Sequence, residues 1–280
     1  MDRLGIEFIS ALGMPPDEMV RMVAGLGVTS VSISPQPITD NPHGYRAWNL
    51  VTDPALVLAT KSAMADCGVR TGQAEGFLIM PGVDVGDSEA WLDVAADMGA
   101  PAVNACAIEP DRPRALDQFA TLAEKAGQRG MNAMVEFMPM MIDPGNLSQA
   151  LTFVADSGAQ NGRVMLDSMH FFRSGSQASE LASCDLSKIG YVQLCDVPMP
   201  QPRGGSPEEM MGAYGEEARH NRLCPGEGDL PLADFLAPLP PELTVGLELP
   251  MLVKAQAGIA PGDALRPAVD AARRLLEELG

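Results

Sequence analysis

Short apolar runs alternate with longer amphipathic stretches in the first half of the chain. Leu4–Ile9, Val28–Ile33, Arg70–Ala74 and Ala102–Cys106 have the length and the apolar or β-branched content of buried strands. Stretches with apolar residues at helical spacing follow them, often opened by proline and acidic residues. The pattern predicts helices over Pro15–Gly25, Pro54–Asp66, Ser88–Met98 and Pro113–Gln128.

The second half repeats this alternation, but here each apolar run ends in a polar residue. The predicted strands are Ala133–Glu136, Arg163–Asp167, Gly190–Gln193 and Thr244–Glu248. Helices are predicted near Asn146–Asp156, Gln177–Ala182, Leu232–Leu236 and Asp263–Leu279. Eight βα units in about 250 residues indicate an α/β fold of the (β/α)8 TIM barrel type. A doubly wound sheet is the competing architecture, but no G-x-G-x-x-G opens a helix.

One segment interrupts the alternation. Pro198–Glu227 contains Pro, Gly, Glu and Arg without a sustained helical period. It is interpreted as a long loop after strand 7, because long ordered loops in compact enzymes are commonly lids or substrate walls. Residues 1–280 are therefore expected to form a single barrel domain.

The four polar strand ends are Glu136, Asp167, Gln193 and Glu248. Burying one unpaired carboxylate costs several kcal/mol, and three together would shift their pKa values until some were neutral. A divalent cation resolves that conflict, so these four residues are predicted to be metal ligands. Three carboxylates and one amide oxygen suit Mg²⁺ or Mn²⁺ better than Zn²⁺, with Co²⁺ as a further option. The alternative is that some of them pair with core arginines or cap helices.

Two further stretches are candidates for substrate contact. His170 lies three residues beyond Asp167, so it is expected in the loop above that strand, where it could orient a substrate hydroxyl or bind metal. In Arg222–Gly228, two glycines around Glu227 allow close backbone approach, and Arg222 supplies a forked donor. The alternative for this stretch is an ordinary turn before the next helix. Four more elements are expected to shape the pocket: Glu7, Glu75, Asn104 and the loop His43–Trp48.

Charge and cysteine content restrict the partners. The chain has 19 Lys and Arg against 37 Asp and Glu, a formal charge of -18 that repels nucleic acid. A neutral or weakly anionic small molecule fits this charge better. Five cysteines without a C-x-x-C pair are typical of a reducing compartment, and neither a secretory signal nor an 18-residue apolar run occurs. A cytoplasmic protein without a membrane partner is expected, and a homo-oligomer is left open.

The order of the site motifs resembles a known family. The motifs are Val135-Glu-Phe-Met-Pro, Leu166-Asp-Ser-Met-His, Val192-Gln-Leu-Cys-Asp-Val-Pro, Arg222-Leu-Cys-Pro-Gly-Glu-Gly and Gly246-Leu-Glu. Together they are similar to the xylose-isomerase-like TIM barrels, and more narrowly to the sugar-phosphate isomerase/epimerase group. This resemblance implies that Glu136 and Glu248 form an acid/base pair that also binds the metal, with Asp167 and Gln193 completing the metal shell. It also implies substrate contacts for His170 and Arg222.

Gln193 departs from part of that group. Ketose epimerases similar to tagatose epimerase usually have histidine there, whereas glutamine resembles hydroxypyruvate isomerases and some 3-dehydroshikimate dehydratases. The resemblance implies proton abstraction next to a metal-bound carbonyl of a hydroxyketone or sugar, through an enediolate. Isomerisation or epimerisation is the first expectation, and dehydration of the 3-dehydroshikimate or inosose dehydratase type is the alternative.

The sequence favours two other functional classes less strongly. Endonuclease members of the same superfamily need a histidine-rich, multi-metal site, and the chain has only three histidines. Its negative charge also argues against them. A barrel that binds metal or ligand without turnover stays open, because fold alone does not establish catalysis.

Overall fold

The computed structural model describes residues 3–139, 143–199 and 206–280. Within these residues eight strands pair in parallel and in chain order, and β1 pairs with β8 to close the barrel. The strands are β1 (Leu4–Ile6), β2 (Ser30–Ile33), β3 (Arg70–Ile79), β4 (Ala102–Ala107), β5 (Asn132–Glu136), β6 (Gly162–Asp167), β7 (Ile189–Leu194) and β8 (Val245–Leu247). The predicted (β/α)8 TIM barrel is confirmed.

Helices connect and cover the strands. They are α1 (Pro16–Gly25), α2 (Pro54–Cys67), α3 (Glu89–Asp97), α4 (Arg112–Gly127), α5 (Leu147–Asp156), α6 (Ser168–Arg173), α7 (Ala178–Leu181), α8 (Pro207–His220), α9 (Leu232–Leu236), α10 (Leu252–Gln256) and α11 (Pro261–Leu279). Short 3₁₀ turns lie at Phe8–Ala11, Val85–Ser88 and Leu186–Lys188. None of the helices in the described part of the chain is long and apolar enough to cross a membrane.

Side-chain alternation divides each strand between two environments. Residues two apart on a strand share a face, so Met134 lies on the same face of β5 as Glu136. Met134 and Tyr191 belong to a small cluster of buried side chains, whereas Val135 belongs to the large core between sheet and helices. The outer face of the strands therefore carries the hydrophobic core, and the inner face carries the candidate site.

Three local predictions are corrected by the structure. β3 continues to Ile79 instead of ending before Glu75. His170 lies in α6, which begins directly after β6 because the Asp167 carboxylate accepts a hydrogen bond from the His170 backbone N–H. The predicted loop Pro198–Glu227 contains α8, although residues 200–205 of that loop lie outside the described residues.

Candidate active site

The barrel brings the four predicted metal ligands to one end. Glu136 and Asp167 are the last residues of β5 and β6, Gln193 lies one residue before the end of β7, and Glu248 follows β8. Each is between 0% and 7% exposed. The C-terminal ends of the strands carry the active sites of TIM barrel enzymes. The placement agrees with the predicted metal-binding role, which stays a prediction.

Arg222 lies between two of these carboxylates. Its Nη1 atom contacts Asp167 Oδ2 and lies 2.8 Å from Glu248 Oε2. Its Nε atom donates to the Ala218 carbonyl at 2.8 Å, and the residue is only 3% exposed. A buried guanidinium thus compensates part of the negative charge of the site.

Arg222 affects the pKa values of Asp167 and Glu248 to different extents. Burial alone would raise the pKa of Asp167, but Arg222, followed by His170, holds that pKa at about 2. Burial raises the pKa of Glu248 well above its usual range, and Arg222 only partly opposes this effect. The Asp167 carboxyl is therefore ionised, whereas Glu248 favours its protonated form when only side chains surround it.

His170 is held at both ring nitrogens. Its Nε2 atom lies 3.3 Å from Glu136 Oε1, and its Nδ1 atom lies 2.5 Å from the hydroxyl of Tyr214. Burial raises the pKa of Tyr214, so its hydroxyl keeps its proton and can donate it to Nδ1. The arrangement then assigns the proton of a neutral His170 to Nε2, where it faces the Glu136 carboxylate.

Tyr214 reaches the site because α8 is anchored to α6. Arg173 of α6 forms a two-pronged ion pair with Glu217 of α8, with N–O distances of 2.7 and 2.9 Å. Arg173 Nη2 also donates to the carbonyl of Pro198 at 2.8 Å. Bidentate arginine–carboxylate pairs fix orientation as well as distance. The helix therefore forms a positioned wall above His170.

Glu136, Asp167 and His170 can offer one metal-ligand atom each, with these atoms all within 4.8 Å of one another. A His170 ligand would require the metal on Nε2 and the remaining proton on Nδ1, facing Tyr214. The predicted set instead uses Gln193 and Glu248. Gln193 Oε1 is buried without a hydrogen-bond partner in the described structure, as expected for an oxygen that awaits a ligand. Both donor sets are rich in oxygen and suit a divalent cation.

A second network lies behind Gln193, around Glu7. Glu7 is fully buried, and its Oε1 atom accepts from the hydroxyl of Tyr191 at 2.7 Å. Its Oε2 atom accepts from Gln73 Nε2 at 2.9 Å and from Gln193 Nε2 at 3.4 Å. A Cβ atom built at Gly246 would lie 1.6 Å from Glu7 Oε1, so only glycine leaves room for this carboxylate. Three donors thus converge on the two Glu7 oxygens, which act as acceptors.

Glu7 also determines how the Gln193 amide is oriented. A carboxylate accepts but does not donate, so the NH₂ group of Gln193 must face it. The carbonyl oxygen of Gln193 is then turned away from Glu7 and is left unpartnered. This is the atom through which Gln193 is predicted to bind metal.

Asn104 and Cys106 approach the site from β4. Asn104 Nδ2 donates to Glu136 Oε2 at 3.0 Å, and the Cys106 Sγ atom lies 3.5 Å from the same oxygen. Burial, followed by the charge of Glu136, raises the pKa of the Cys106 thiol well above its usual range. Asn104 is thus placed beside a predicted metal ligand, while its predicted contact with substrate stays a prediction.

The stretch Arg222–Gly228 is shaped by Asp196. This carboxylate accepts from the backbone N–H groups of Val197, Gly226 and Leu230 at 2.9 to 3.0 Å. A Cβ atom at Gly228 would lie 2.4 Å from Asp196 Oδ1, which explains the glycine. Glu227 is exposed and accepts from the Cys224 backbone N–H at 3.1 Å. Arg222 therefore points into the site, whereas Glu227 closes a turn at its edge.

Sequence reasoning did not identify Tyr214 or the charge network around Glu7. Tyr214 lies in the segment interpreted as irregular, yet Ser206 and Glu209 form a reciprocal capping box there, with proline at the first helical position. The S-x-x-E spacing with Pro207 would have predicted this helix. Glu7 was expected to shape the pocket, but no sequence signal connects it to Gln193 and Tyr191.

Comparison with known proteins adds the family. The family model described as "Xylose isomerase-like TIM barrel" matches residues 84–253. A curated relative from Pseudomonas aeruginosa, named 3-dehydroshikimate dehydratase, is 30% identical over 148 residues, which are 52% of this chain and 20% of the relative. The chain thus matches about a fifth of the length of that relative.

Two solved structures have the same fold. The IolI protein with a bound zinc atom has a TM-score of 0.75 at 16% identity, over 99% of both chains. D-allulose 3-epimerase from Methylomonas sp. has a TM-score of 0.67 at 15% identity, over 97% of both chains. Because the family model covers more than half of the sequence, the chain belongs to the xylose isomerase-like TIM barrel family.

Proposed function

We propose that this chain is a divalent-metal-dependent enzyme that removes a proton from the carbon beside a carbonyl group of a small polyhydroxylated ketone. The convergence of Glu136, Asp167, Gln193 and Glu248 at one end of the barrel, each at least nine-tenths buried, carries this proposal. Arg222 contacts two of the three buried carboxyl groups, Asp167 and Glu248, so a divalent cation would supply the two further positive charges that three ionised carboxylates need.

The donor set fits a hard divalent cation. Glu136, Asp167, Gln193 and Glu248 would hold it, with His170 as the alternative nitrogen donor. The unpartnered Gln193 Oε1 supports the predicted set, since an amide oxygen buried without a donor is costly. When bound, the cation would polarise the substrate carbonyl and lower the barrier to deprotonation of the neighbouring carbon. Mg²⁺ and Mn²⁺ are the first candidates for an oxygen-rich set.

The contacts divide the proton-transfer roles. Glu136 is engaged at both oxygens, by Asn104 and Cys106 at one and by His170 at the other. Glu248 lies 2.8 Å from Arg222 Nη1 through Oε2, and it is assigned as the base, in the ionised form that a bound cation would favour. His170, with its Nε2 proton toward Glu136, is assigned to orient a substrate hydroxyl.

We assign dehydration as the net reaction. The 30% identical relative bears the name 3-dehydroshikimate dehydratase, and glutamine at position 193 resembles that type of enzyme. Loss of a hydroxyl two carbons from the carbonyl would give an enone and water. Isomerisation or epimerisation is the second candidate, supported by two carboxyl groups, Glu136 and Glu248, that reach the site from β5 and β8 and could serve opposite faces of a substrate.

Turnover in D₂O with Mn²⁺ separates these outcomes. The metal-loaded chain is incubated with 3-dehydroshikimate and with a panel of hydroxyketones and ketoses, and products are analysed by mass spectrometry. A dehydratase yields an enone lighter by one water, whereas an isomerase or epimerase yields an unchanged formula carrying deuterium. Glu136→Gln and Glu248→Gln should each lower kcat by about 10²-fold or more.

Glu109→Gln is the matched control. Glu109 is also buried, at 6% exposure, but its partner is Arg114 outside the site, so kcat should stay near that of the parent chain. Absence of turnover with every divalent metal and ketone tested would contradict the enzyme proposal. Full activity of both glutamine variants in the site would contradict the assigned roles.

A further inference from the structure

Arg3 precedes β1, at the end of the barrel opposite to the candidate active site. Its carbonyl oxygen accepts from the Val245 backbone N–H at 2.8 Å, which fixes its backbone beside β8, and its Nη1 atom lies 3.5 Å from the Pro240 carbonyl oxygen. Its Nε and Nη2 atoms are buried without a hydrogen-bond partner among the described residues. A buried donor without a partner is costly, and here two such donors belong to one cationic group.

The Nε and Nη2 atoms form the edge of a guanidinium that binds a carboxylate through two parallel hydrogen bonds. The same edge of Arg173 holds Glu217 in this chain, with an Nε–Oε2 distance of 2.9 Å and an Nη2–Oε1 distance of 2.7 Å. In Arg3 this edge faces no carboxylate of the described chain within hydrogen-bond distance. Burial lowers the pKa of Arg3, and the charge of the exposed Glu242 only partly opposes this shift. The positive charge of Arg3 is therefore unmatched.

Arg3 lines a cavity of about 400 Å³ between the segment that follows α9 and the end of α11. Leu236 and Leu239 contribute aliphatic walls from the first element, and Leu276 and Leu279 contribute them from the second. Arg3 is the one charged side chain among the described lining residues. Leu279 is 40% exposed, so a ligand could remove further apolar surface from water. Cavities of this volume with apolar walls and few polar groups are typical of small-molecule sites.

We propose that this cavity binds a small carboxylic acid with an apolar body, at a site separate from the candidate active site. The carboxylate would accept from Nε and Nη2 of Arg3, and the apolar body would cover the leucine side chains. A phosphate monoester carries about two negative charges and fits less well, because a single guanidinium lines the cavity. A neutral polyol would leave both the cation and the aliphatic walls without a complement. The inference does not depend on the proposed dehydration.

The test is calorimetric titration of the full chain in EDTA with hexanoate, acetate and hexanol. Hexanoate should bind with a Kd of about 1 mM or below. Acetate and hexanol should each bind about tenfold more weakly or worse, because acetate lacks the apolar body and hexanol lacks the charge. Arg3→Gln should weaken the binding of hexanoate by about tenfold or more, since it removes the forked cationic donor.

Arg70→Gln is the matched control. Arg70 begins β3 at the same end of the barrel, but it is exposed, lies 3.3 Å from the Thr244 hydroxyl and does not line the cavity. Its replacement should leave the affinity for hexanoate unchanged. Leu279→Gln should weaken hexanoate more than acetate, because it removes part of the apolar wall. Melting curves establish that each variant is folded.

Three results would overturn the inference: no binding of hexanoate up to about 10 mM, equal affinity of Arg3→Gln and the parent chain for hexanoate, or equal affinity of the parent chain for hexanoate and hexanol. The first would mean that only water satisfies Arg3, and the second would place the ligand elsewhere. If Arg3→Gln does not fold, Arg3→Lys replaces it, because lysine keeps the charge but lacks the fork. The affinity for hexanoate should then still fall, and an unchanged affinity contradicts carboxylate binding by this edge.

Discussion

The two halves of the barrel compensate buried acidity by different means. On the side of β5 to β8, Asp167 and Glu248 share the guanidinium of Arg222. On the side of β1 to β4, Glu7 accepts from the neutral donors Gln73, Tyr191 and Gln193, and neither Glu7 nor Glu75 forms an ion pair among the described residues. The fixed cation keeps the Asp167 carboxyl ionised, whereas burial keeps the pKa of Glu248 raised. The acidity of a buried carboxyl group is thus set by its surroundings.

The largest expected effect is on the free energy of unfolding, and it comes from replacing Arg222 on the side of β5 to β8. Arg222→Met leaves Asp167 and Glu248 buried without their counter-charge, and breaking a buried pair in this way costs about 3–5 kcal/mol. Urea unfolding in EDTA measures this loss in the free energy of unfolding. Mn²⁺ should restore part of it, since the cation takes over the compensation.

Arg46→Met is the control for this variant. Arg46 forms an ion pair with Asp17 at 3.1 Å, but its side chain is 49% exposed. Exposed pairs contribute about 0–1 kcal/mol, so the free energy of unfolding should hardly change. Equal stability of Arg222→Met and Arg46→Met would show that the side of β5 to β8 does not depend on the Arg222 guanidinium.

Glu7→Gln tests the link between the two halves. A glutamine at position 7 can present either its oxygen or its NH₂ group, so it no longer fixes the Gln193 amide with its oxygen free. Loss of an orienting group behind a ligand typically costs about 10- to 100-fold in metal affinity. Calorimetric titration of the metal-free protein with Mn²⁺ measures this loss, and an affinity equal to that of Glu109→Gln would contradict the link.

The smallest effect is a difference in the sign of the pH dependence. Asp167 has a pKa of about 2 in the folded chain, below an unfolded value near 3.9, so its contribution to stability is lost as pH falls from about 4 to 2. Glu75 has a raised pKa, so its folded form binds the extra proton. Its contribution is present at low pH and is lost as pH rises above its unfolded pKa of about 4.3.

Free energies of unfolding in EDTA, measured across this range, show both trends as differences between parent and variant. Asp167→Asn should remove the first trend and Glu75→Gln the second. If the free energies of unfolding of Asp167→Asn and Glu75→Gln depend on pH in the same way, the two sides of the barrel do not differ in how their buried charge is compensated.

The sequence predicted the site residues of β5 to β8 better than those of β1 to β4, for a physical reason. Glu136, Asp167, Gln193 and Glu248 each end a short apolar run, so strand prediction and the common polarity of barrel strand ends located them together. Glu7 follows the three-residue strand β1, whereas Glu75 lies within β3, which runs past the point where its predicted strand stopped. What they do depends on contacts with β7, such as Tyr191, that no local pattern contains.

The wall formed by α8 shows the same limit. Its start could have been predicted from Ser206 and Glu209, but the approach of Tyr214 to His170 depends on the Arg173–Glu217 pair between two helices. Such a pair is set by tertiary packing, not by spacing along the chain. The fold and the convergence of the four polar strand ends were thus accessible from sequence, whereas the contacts of Tyr214 and Glu7 required the structure.

The absence of a side chain at Gly246 has a consequence for how this barrel can diversify. Since Glu7 fills the space that a Cβ atom there would need, positions 7 and 246 share one volume across β1 and β8. A larger residue at position 246 is compatible with the fold only if position 7 becomes small, and that exchange would remove the acceptor that orients the Gln193 amide. Relatives in which the two positions have exchanged sizes should therefore orient the residue at position 193 through another acceptor.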